Sequence, residues 1–498
     1  MPAEQPKASR FLEVERKFAV VEATVSPSFE GLTSVARVER SLSQHLSAVY
    51  FDTPALDLAA HRITLRRRTG GTAPGWHLKL PAGPDARTEV RLPLGDAEDP
   101  GAVPEPLRDV VAAIVRDRPL APVARIETHR TVHSLYGADG ALLAEFCDDR
   151  VTACRLDDAE AEPLDWREWE LELAVGGDRG LLDRLTNRLL DAGAVPAEHG
   201  SKLGRVLQVP PRRPVPPDAD PVRRAVAEAI EALLVWDRAV RADAPDAVHQ
   251  MRVTTRRLRS LLTAAAPAFG LDDDAPVLDE LRQLAAVLGE ARDAEVLAER
   301  YRDALAALPA ELVRGPVSER LVDGARRRYR TGHRRVLAAL RSPRYFRLLD
   351  TLEELAAADL AAAAEPIGDG DARAGLRAAH KQVRRAAKAA RKAAGTERDE
   401  ALHRIRKAAK RLRYTAAATG HDTLAERARQ VQTLLGEHQD SVVSRAHLLR
   451  AAAAAHAAGE DTFTYGVLHQ REAELARRCR ERLDEALARL DKAARKLR

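Results

Sequence analysis

The sequence predicts two domains of unlike class: an N-terminal α+β domain built on an antiparallel sheet, and a C-terminal all-α domain with an internal repeat. Three observations predict it. The chain has 498 residues, beyond the ~250–300 at which one hydrophobic core stops growing. Residues 209–221 read VPPRRPVPPDADP, with six prolines that fix φ and remove backbone donors, so a stiff extended linker is expected over 209–220. The texture also changes there, from short alternating segments separated by Gly/Pro/Asp clusters to long Ala/Leu/Arg/Glu stretches with helical periodicity.

Before the linker, Phe11–Val20, Ile63–Arg68, Trp76–Leu80, Thr88–Leu92 and Glu168–Leu173 read as strands, and Leu107–Arg116 and Leu181–Ala192 as helices. Gly70-Gly71 reads as a turn between strands. Apolar residues at 45% and charged residues at 31% exclude global disorder. Three cysteines, Cys147, Cys154 and Cys479, form no CxxC pair, so a reducing compartment is expected and Cys147 and Cys154 read as core thiols. No apolar run approaches the ~20 residues of a membrane span, and Met1–Arg10 is polar, so a soluble, cytoplasmic chain is expected. Residues 1–210 hold 26 Lys/Arg against 33 Asp/Glu, leaving 54 against 42 for the rest. The basic second half points to a polyanionic partner.

In a strand, alternate side chains share a face. Glu13, Glu15 and Lys17 therefore lie together, as do Arg66 with Arg68, His77 with Lys79, Arg87 with Glu89 and Arg91, and Glu168 with Glu170 and Glu172. Two arrangements satisfy this pattern. One is a sheet with a solvated, salt-bridged outer face. The other is a closed barrel with the charges inward. Carboxylates concentrate in the first and last segments and bases in the middle ones, which favours the second. Hard divalent cations want carboxylate oxygens, and phosphoryl oxygens want Arg forks and Lys. No GxxxxGK[ST] loop occurs, so a P-loop NTPase is not indicated.

These blocks, ExExK (Glu13, Glu15, Lys17), LRxR (Leu65, Arg66, Arg68), HLKLP (Lys79), RxE (Arg87, Glu89), WELEL (Glu170, Glu172) and the late Ser201-Lys202 pair, resemble a CYTH domain over about 8–208. This is the triphosphate tunnel metalloenzyme family. The resemblance implies an eight-stranded antiparallel tunnel with flanking helices that binds a linear triphosphate. It implies that Glu13, Glu15, Glu170 and Glu172, with Glu89 as a further candidate, hold Mg²⁺ or Mn²⁺. It further implies that Lys17, Arg66, Arg68, Lys79, Arg87, Arg130 and Lys202 bind phosphate. Lys202 is expected to position or activate water, so the catalytic set is Lys202, Glu13, Glu15 and Lys17. Asp149 competes with Asp148 for a further acidic position, and Glu168 reads as rim.

In the second half, His249-Gln-Met-Arg252-Val-Thr-Thr-Arg256-Arg257-Leu258-Arg259 recurs as His403-Arg-Ile-Arg406-Lys-Ala-Ala-Lys410-Arg411-Leu412-Arg413. On a helix, His249, Arg252, Arg256 and Arg259 fall in one sector of roughly 80°, with Met251 and Leu258 opposite. The same holds for His403, Arg406, Lys410 and Arg413, opposite Ile405 and Leu412. A solvated basic face explains one such stripe; two related bundles gripping a polyanion explain the repetition. Leu288-Gly289 and Leu435-Gly436, downstream of each copy, read as turns. Gln439 stands where the first copy has Arg292, and Lys381–Lys392 adds further cationic turns. These residues resemble a CHAD domain over about 221–498, which implies two four-helix bundles in pseudo-twofold relation and a groove for inorganic polyphosphate.

The leading expectation is metal-dependent hydrolysis of inorganic triphosphate to pyrophosphate and phosphate, with polyphosphate bound by the helical domain. A non-catalytic polyphosphate-targeting protein is the alternative from another class. Thiamine triphosphatase and adenylate cyclase are alternatives within the tunnel family, disfavoured by the few aromatics (Tyr50, Phe51, Trp76) near the motifs. Nucleic acid ranks below polyphosphate, because aromatics other than Tyr414 are nearly absent from the stripes. No membrane partner is expected, and the sequence leaves the oligomeric state open.

Overall fold

The computed structural model describes residues 9–95, 101–158, 160–210, 221–272, 274–357 and 369–495. Residues 211–220 of the expected linker lie outside the described residues. The chain divides into two compact units, Met1–Ala247 with Leu340–Glu353, and Val248–Ala339 with Glu354–Arg498.

The first unit holds β1 (Ser9–Val20), β2 (Arg37–Arg40), β3 (Gln44–Asp52), β4 (Thr64–Gly70), β5 (Gly75–Pro81), β6 (Ala86–Leu92), β7 (Ala121–Tyr136), β8 (Leu142–Arg155), β9 (Leu164–Leu173) and β10 (Val195–Pro196). Eight of them close on themselves in the order β1-β6-β5-β4-β3-β7-β8-β9, all antiparallel. Closure comes from β1, whose first half pairs with β6 and whose second half pairs with β9. A closed sheet has no free edge. β2 and β10 add short pairings to β7 and β1. Gly70 and Gly71 do form the β4–β5 turn, both at positive φ, and a Cβ on Gly70 would stand 2.2 Å from the His45 carbonyl oxygen.

Four helices of this unit are α1 (Asp57–Ala60), α2 (Glu105–Val115), α3 (Arg179–Asp191) and α4 (Lys202–Leu207). Leu181, Leu182, Leu185 and Leu189 of α3 pack with Phe18, Phe146 and Trp169. Ser201 caps α4 by accepting from the Gly204 amide at 3.0 Å, and Leu203, Val206 and Leu207 pack with Tyr50, Ile126 and Val151. That packing fixes the position of Lys202.

The division of units does not follow the proline-rich stretch. Helix α5 (Pro221–Arg241) and residues 340–353 belong with the barrel, through buried apolar side chains such as Ile230, Leu233 and Phe346 and through ion pairs to α2. The Arg241 side chain, 2% exposed, meets Asp237 at 2.6 Å and Asp109 of α2 at 2.9 Å. Arg116, which ends α2, meets Asp350 at 3.1 Å and Glu353 at 2.7 Å.

The other helices are α6 (Ala247–Ala264), α7 (Pro276–Ala306), α8 (Gly324–Leu340), α9 (Pro343–Ala357), α10 (Asp369–Ala390), α11 (Gly395–Ala418), α12 (Asp422–Ala457) and α13 (Phe463–Arg495). Helices α10 to α13 share one core that includes Leu376, Leu402, Ile405, Leu412, Leu435 and Leu490. The two Leu-Gly pairs are not turns: Leu288-Gly289 lies inside α7 and Leu435-Gly436 inside α12. Each glycine instead faces an arginine of the repeated motif. A Cβ on Gly289 would stand 3.4 Å from Arg252 Nε, and one on Gly436 would stand 3.7 Å from Arg406 Nε.

Candidate functional site: a charged tunnel and a basic groove

The barrel encloses a cavity of about 380 Å³. Strand alternation points Glu13, Glu15 and Lys17 of β1, Arg66 and Arg68 of β4, Lys79 of β5, Arg87 of β6, Arg130 of β7, and Glu170 and Glu172 of β9 into it, with Lys202 of α4. An adjoining cavity of about 920 Å³ shares Glu15, Lys17, Arg87 and Ser201 with the first.

Ion pairs organise one side of the cavity. Lys79 Nζ lies 2.5 Å from Glu13 Oε2, and Lys17 Nζ lies 3.0 Å from Glu15 Oε2 while also contacting Glu170. Arg130 grips Asp149 in a fork, Nε to Oδ1 at 2.7 Å and Nη2 to Oδ2 at 2.6 Å, and contacts Glu170. Lys202 Nζ lies 2.8 Å from Asp149 Oδ2, 2.7 Å from Glu168 Oε1 and 2.7 Å from Glu170 Oε1.

On the opposite side, the cations lack anions among the described residues. Arg66 donates to the Tyr50 hydroxyl at 3.1 Å, and its buried Nε has no partner. Arg68 donates only to the Ala73 carbonyl, at 2.6 and 3.2 Å. Burial, with Arg66 and Arg130 nearby, pulls the Arg68 guanidinium down to about 10. Concentrated positive charge with open donors is the complement of a phosphoryl group.

Burial, opposed by Lys79, pushes the Glu13 carboxyl up to about 7. Burial also raises Glu15, but Lys17 and Lys79 outweigh it and bring that carboxyl to about 2. Glu172 is shifted up by burial and by Glu15, Glu170 and Glu145, against Lys79. Carboxylate oxygens in this number are the donors a hard divalent cation requires, so the residues present fit such an ion. Asp149, Glu168 and Glu170 also bring ligand oxygens within 4.8 Å of one another, with the Lys202 ammonium among them.

Several expectations need correction. Glu168 is not rim: it is 6% exposed and paired to Lys202. Glu89 does not line the cavity; it is fully buried, with Oε1 2.8 Å from His77 Nδ1 and Oε2 2.5 Å from Arg91. Asp149 rather than Asp148 joins the site. Asp148 pairs with Arg167 at 2.6 Å, because adjacent residues of a strand take opposite faces. Cys147 is buried beside Arg130, Asp149 and Glu170, its thiol pushed up to about 12 by burial, and Cys154 is only half-buried. Phe51 and Trp76 belong to the buried core, whereas Tyr50, also buried, lines the cavity. The motifs passed over Glu145 and Phe11, which both line the cavity. The parity of Glu145 with Asp149 along β8 was the available signal.

In the second unit, Met251, Leu258, Ile405 and Leu412 are buried, so the stripes of α6 and α11 lie where the periodicity places them. His249, Arg252, Arg256, Arg259, His403, Arg406, Lys410 and Arg413 are all half-buried, whereas Arg257 and Arg411 are exposed. The two stripes converge. Arg256 is pulled below its ordinary value by burial and by the charges of Arg252, Arg259 and, from the other repeat, Arg406. The buried Nε of Arg252, Nε of Arg406 and Nδ1 of His403 have no partner among the described residues. The Tyr414 ring carries Arg413 at 5.4 Å and Lys410 at 5.8 Å.

Residues 12–193 match the CYTH domain and residues 224–449 match the CHAD domain. Uncharacterized proteins of Mycobacterium tuberculosis, strains CDC 1551 / Oshkosh and H37Rv, are each 62% identical over 520 aligned positions that span both chains completely. Among solved structures, the CHAD domain from the plant Ricinus communis is 24% identical, covering 55% of this chain and 95% of that one, with a TM-score of 0.40. A putative adenylate cyclase from Bacillus halodurans is 15% identical, covering 39% and 97%, with a TM-score of 0.25. No described helix is long and apolar enough to cross a membrane. The chain belongs to the family in which a CYTH tunnel domain is followed by a CHAD domain.

Proposed function

We propose that the tunnel hydrolyses inorganic triphosphate to pyrophosphate and phosphate with Mg²⁺ or Mn²⁺, and that the helical groove binds inorganic polyphosphate. CYTH domains are associated with triphosphate substrates and metal dependence, and CHAD domains with polyphosphate. One observation carries the catalytic reading: Arg66 and Arg68 stand without anions inside a closed barrel whose facing wall is carboxylate-rich. An empty interior of this kind is costly, and a phosphate chain with its cation satisfies both walls.

Arg66, Arg68 and Arg130 would hold the equatorial oxygens, and Lys79 and Arg87 the neighbouring phosphoryl groups. Glu13, Glu15 and Glu172 would hold the divalent cation, which supplies charge neutralisation on the transferring and leaving oxygens. Lys202 is held well above its ordinary value by Asp149, Glu168 and Glu170, against its burial. It keeps its proton at neutral pH and acts as a fixed cation that positions water, not as a base.

The test is phosphate release from tripolyphosphate, thiamine triphosphate, ATP and long-chain polyphosphate with Mg²⁺, with Mn²⁺ and with chelator. Fastest release from tripolyphosphate, abolished by chelator, is expected. Preference for an organic triphosphate would favour the second reading, which rests on Phe11, Leu12, Leu142 and Val175 lining one end of the cavity. Polyphosphate retention without any release would leave the non-catalytic reading.

A further inference from the structure

We propose that the tunnel's divalent cation is held at a row of carboxylates across three strands, Glu15–Glu172–Glu145, with Glu145 as a ligand from β8, and not at Asp149–Glu168–Glu170. This rests on the metal-dependent reading of the tunnel.

Register builds the row. Glu172 of β9 sits directly opposite Glu15 of β1 on one side and Glu145 of β8 on the other, and all three line the cavity with Glu13. Like charges directly opposite across strands destabilise a sheet. Among the described residues only Glu15 of the three forms ion pairs, with Lys17 at 3.0 Å and Arg87 at 3.6 Å; Lys79 acts on Glu172 from beyond ion-pair distance. Among the described residues Glu172 makes no hydrogen bond or ion pair, and Glu145 accepts only from the Ser134 hydroxyl, at 3.2 Å. Two adjacent carboxylates, open to the cavity and without an ion-pair partner, supply the hard oxygens that Mg²⁺ or Mn²⁺ takes.

The competing trio is already neutralised. The Lys202 ammonium sits within 2.8 Å of all three carboxylates, and Arg130 adds its fork to Asp149. A dication entering there would have to displace a buried ammonium and meet it at short range. One strand pair therefore does two jobs along its length: the Glu145–Glu172 end takes metal, and the Asp149–Glu168 end holds a lysine.

Mn²⁺ binding to the full chain, followed by the loss of the free-ion paramagnetic resonance signal, tests this without reference to turnover. Glu145→Gln is expected to weaken Mn²⁺ binding by about tenfold or more, and Glu145→Asp to recover most of it, as ligand-sphere changes do. Glu168→Gln is expected to leave Mn²⁺ binding within about threefold of the parent, well short of a ligand loss. In metal-free buffer Glu145→Gln is expected to unfold no more easily than the parent, because it removes a repelling charge. Unchanged Mn²⁺ binding in Glu145→Gln, or loss in Glu168→Gln alone, would overturn the assignment. A parent chain that binds no Mn²⁺ would instead defeat the metal-dependent reading beneath it.

Discussion

The ammonium of Lys202 stands 2.7 Å from Glu170 Oε1 and 2.8 Å from Asp149 Oδ2, so a residue at the start of α4 closes a cage built on β8 and β9. Lys202 is 8% exposed and Asp149 fully buried. Removing one partner of such a buried set leaves an uncompensated charge. Lys202→Met is expected to cost about 3–5 kcal/mol of stability, measured by denaturant unfolding without metal. An unchanged midpoint would show that the cage is not formed.

Gly289 separates two effects in the helical unit. Alanine there gains up to about 1 kcal/mol of helix propensity, and its Cβ would meet Arg252 Nε at 3.4 Å, an ordinary contact. Gly289→Ala is therefore expected to be neutral or stabilising and to keep polyphosphate binding. Gly289→Leu has no such room and is expected to push the guanidinium aside, weakening polyphosphate retention with a smaller slope against salt. Equal binding by both variants would remove Arg252 from the groove.

His447 sets a pH dependence. Its Nε2 faces the Arg328 Nη2 donor at 2.8 Å, so the neutral ring carries its proton on Nδ1 and donates to the Tyr301 hydroxyl at 2.9 Å. Burial, with Arg328 and Arg450, pulls the imidazole down to about 4. A base depressed in the fold stabilises it above the unfolded value of about 6.5 and loses that contribution as pH falls toward 4. The helical unit is expected to lose on the order of 1–2 kcal/mol across that window, discounted because the ring is only half-buried. His447→Gln should flatten the loss; a profile identical to the parent would contradict the assignment.

Arg241 ties α5 to α2. With Arg241→Met, Asp237 is left fully buried with only the Tyr345 hydroxyl, 3.0 Å away, and about 3–5 kcal/mol should be lost. Asp237→Leu with Arg241→Met removes both charges, and thermal unfolding should recover much of the loss. A double variant worse than the single one would mean that packing, not charge, makes the junction.

Strand parity made much of the tunnel legible. Glu13, Glu15, Lys17, Arg66, Arg68, Lys79, Arg87, Glu170 and Glu172 reach one cavity because alternate residues face one way. Parity does not report which neighbour neutralises which charge, so it reads Glu168 as rim and Glu89 as a cavity residue. Both depend on tertiary pairings, Glu168 of β9 with Lys202 of α4 and Glu89 of β6 with His77 of the neighbouring β5. Glu145 carries little signal in the sequence because β8 gives no strong alternation, its inner face mixing Glu145, Cys147 and Asp149. In the helical half, periodicity found the stripes of α6 and α11. Gly289 and Gly436 read as turns because glycine usually marks one, whereas here each leaves space for an arginine from a neighbouring helix.

The most direct measurement is phosphate release from tripolyphosphate with Mn²⁺ or Mg²⁺, comparing the parent with Glu13→Gln and Arg66→Ala. Rapid release by the parent, abolished by chelator and reduced by about a hundredfold or more in both variants, is the expected result. Equal release from all three proteins, or undiminished release in chelator, would contradict the account.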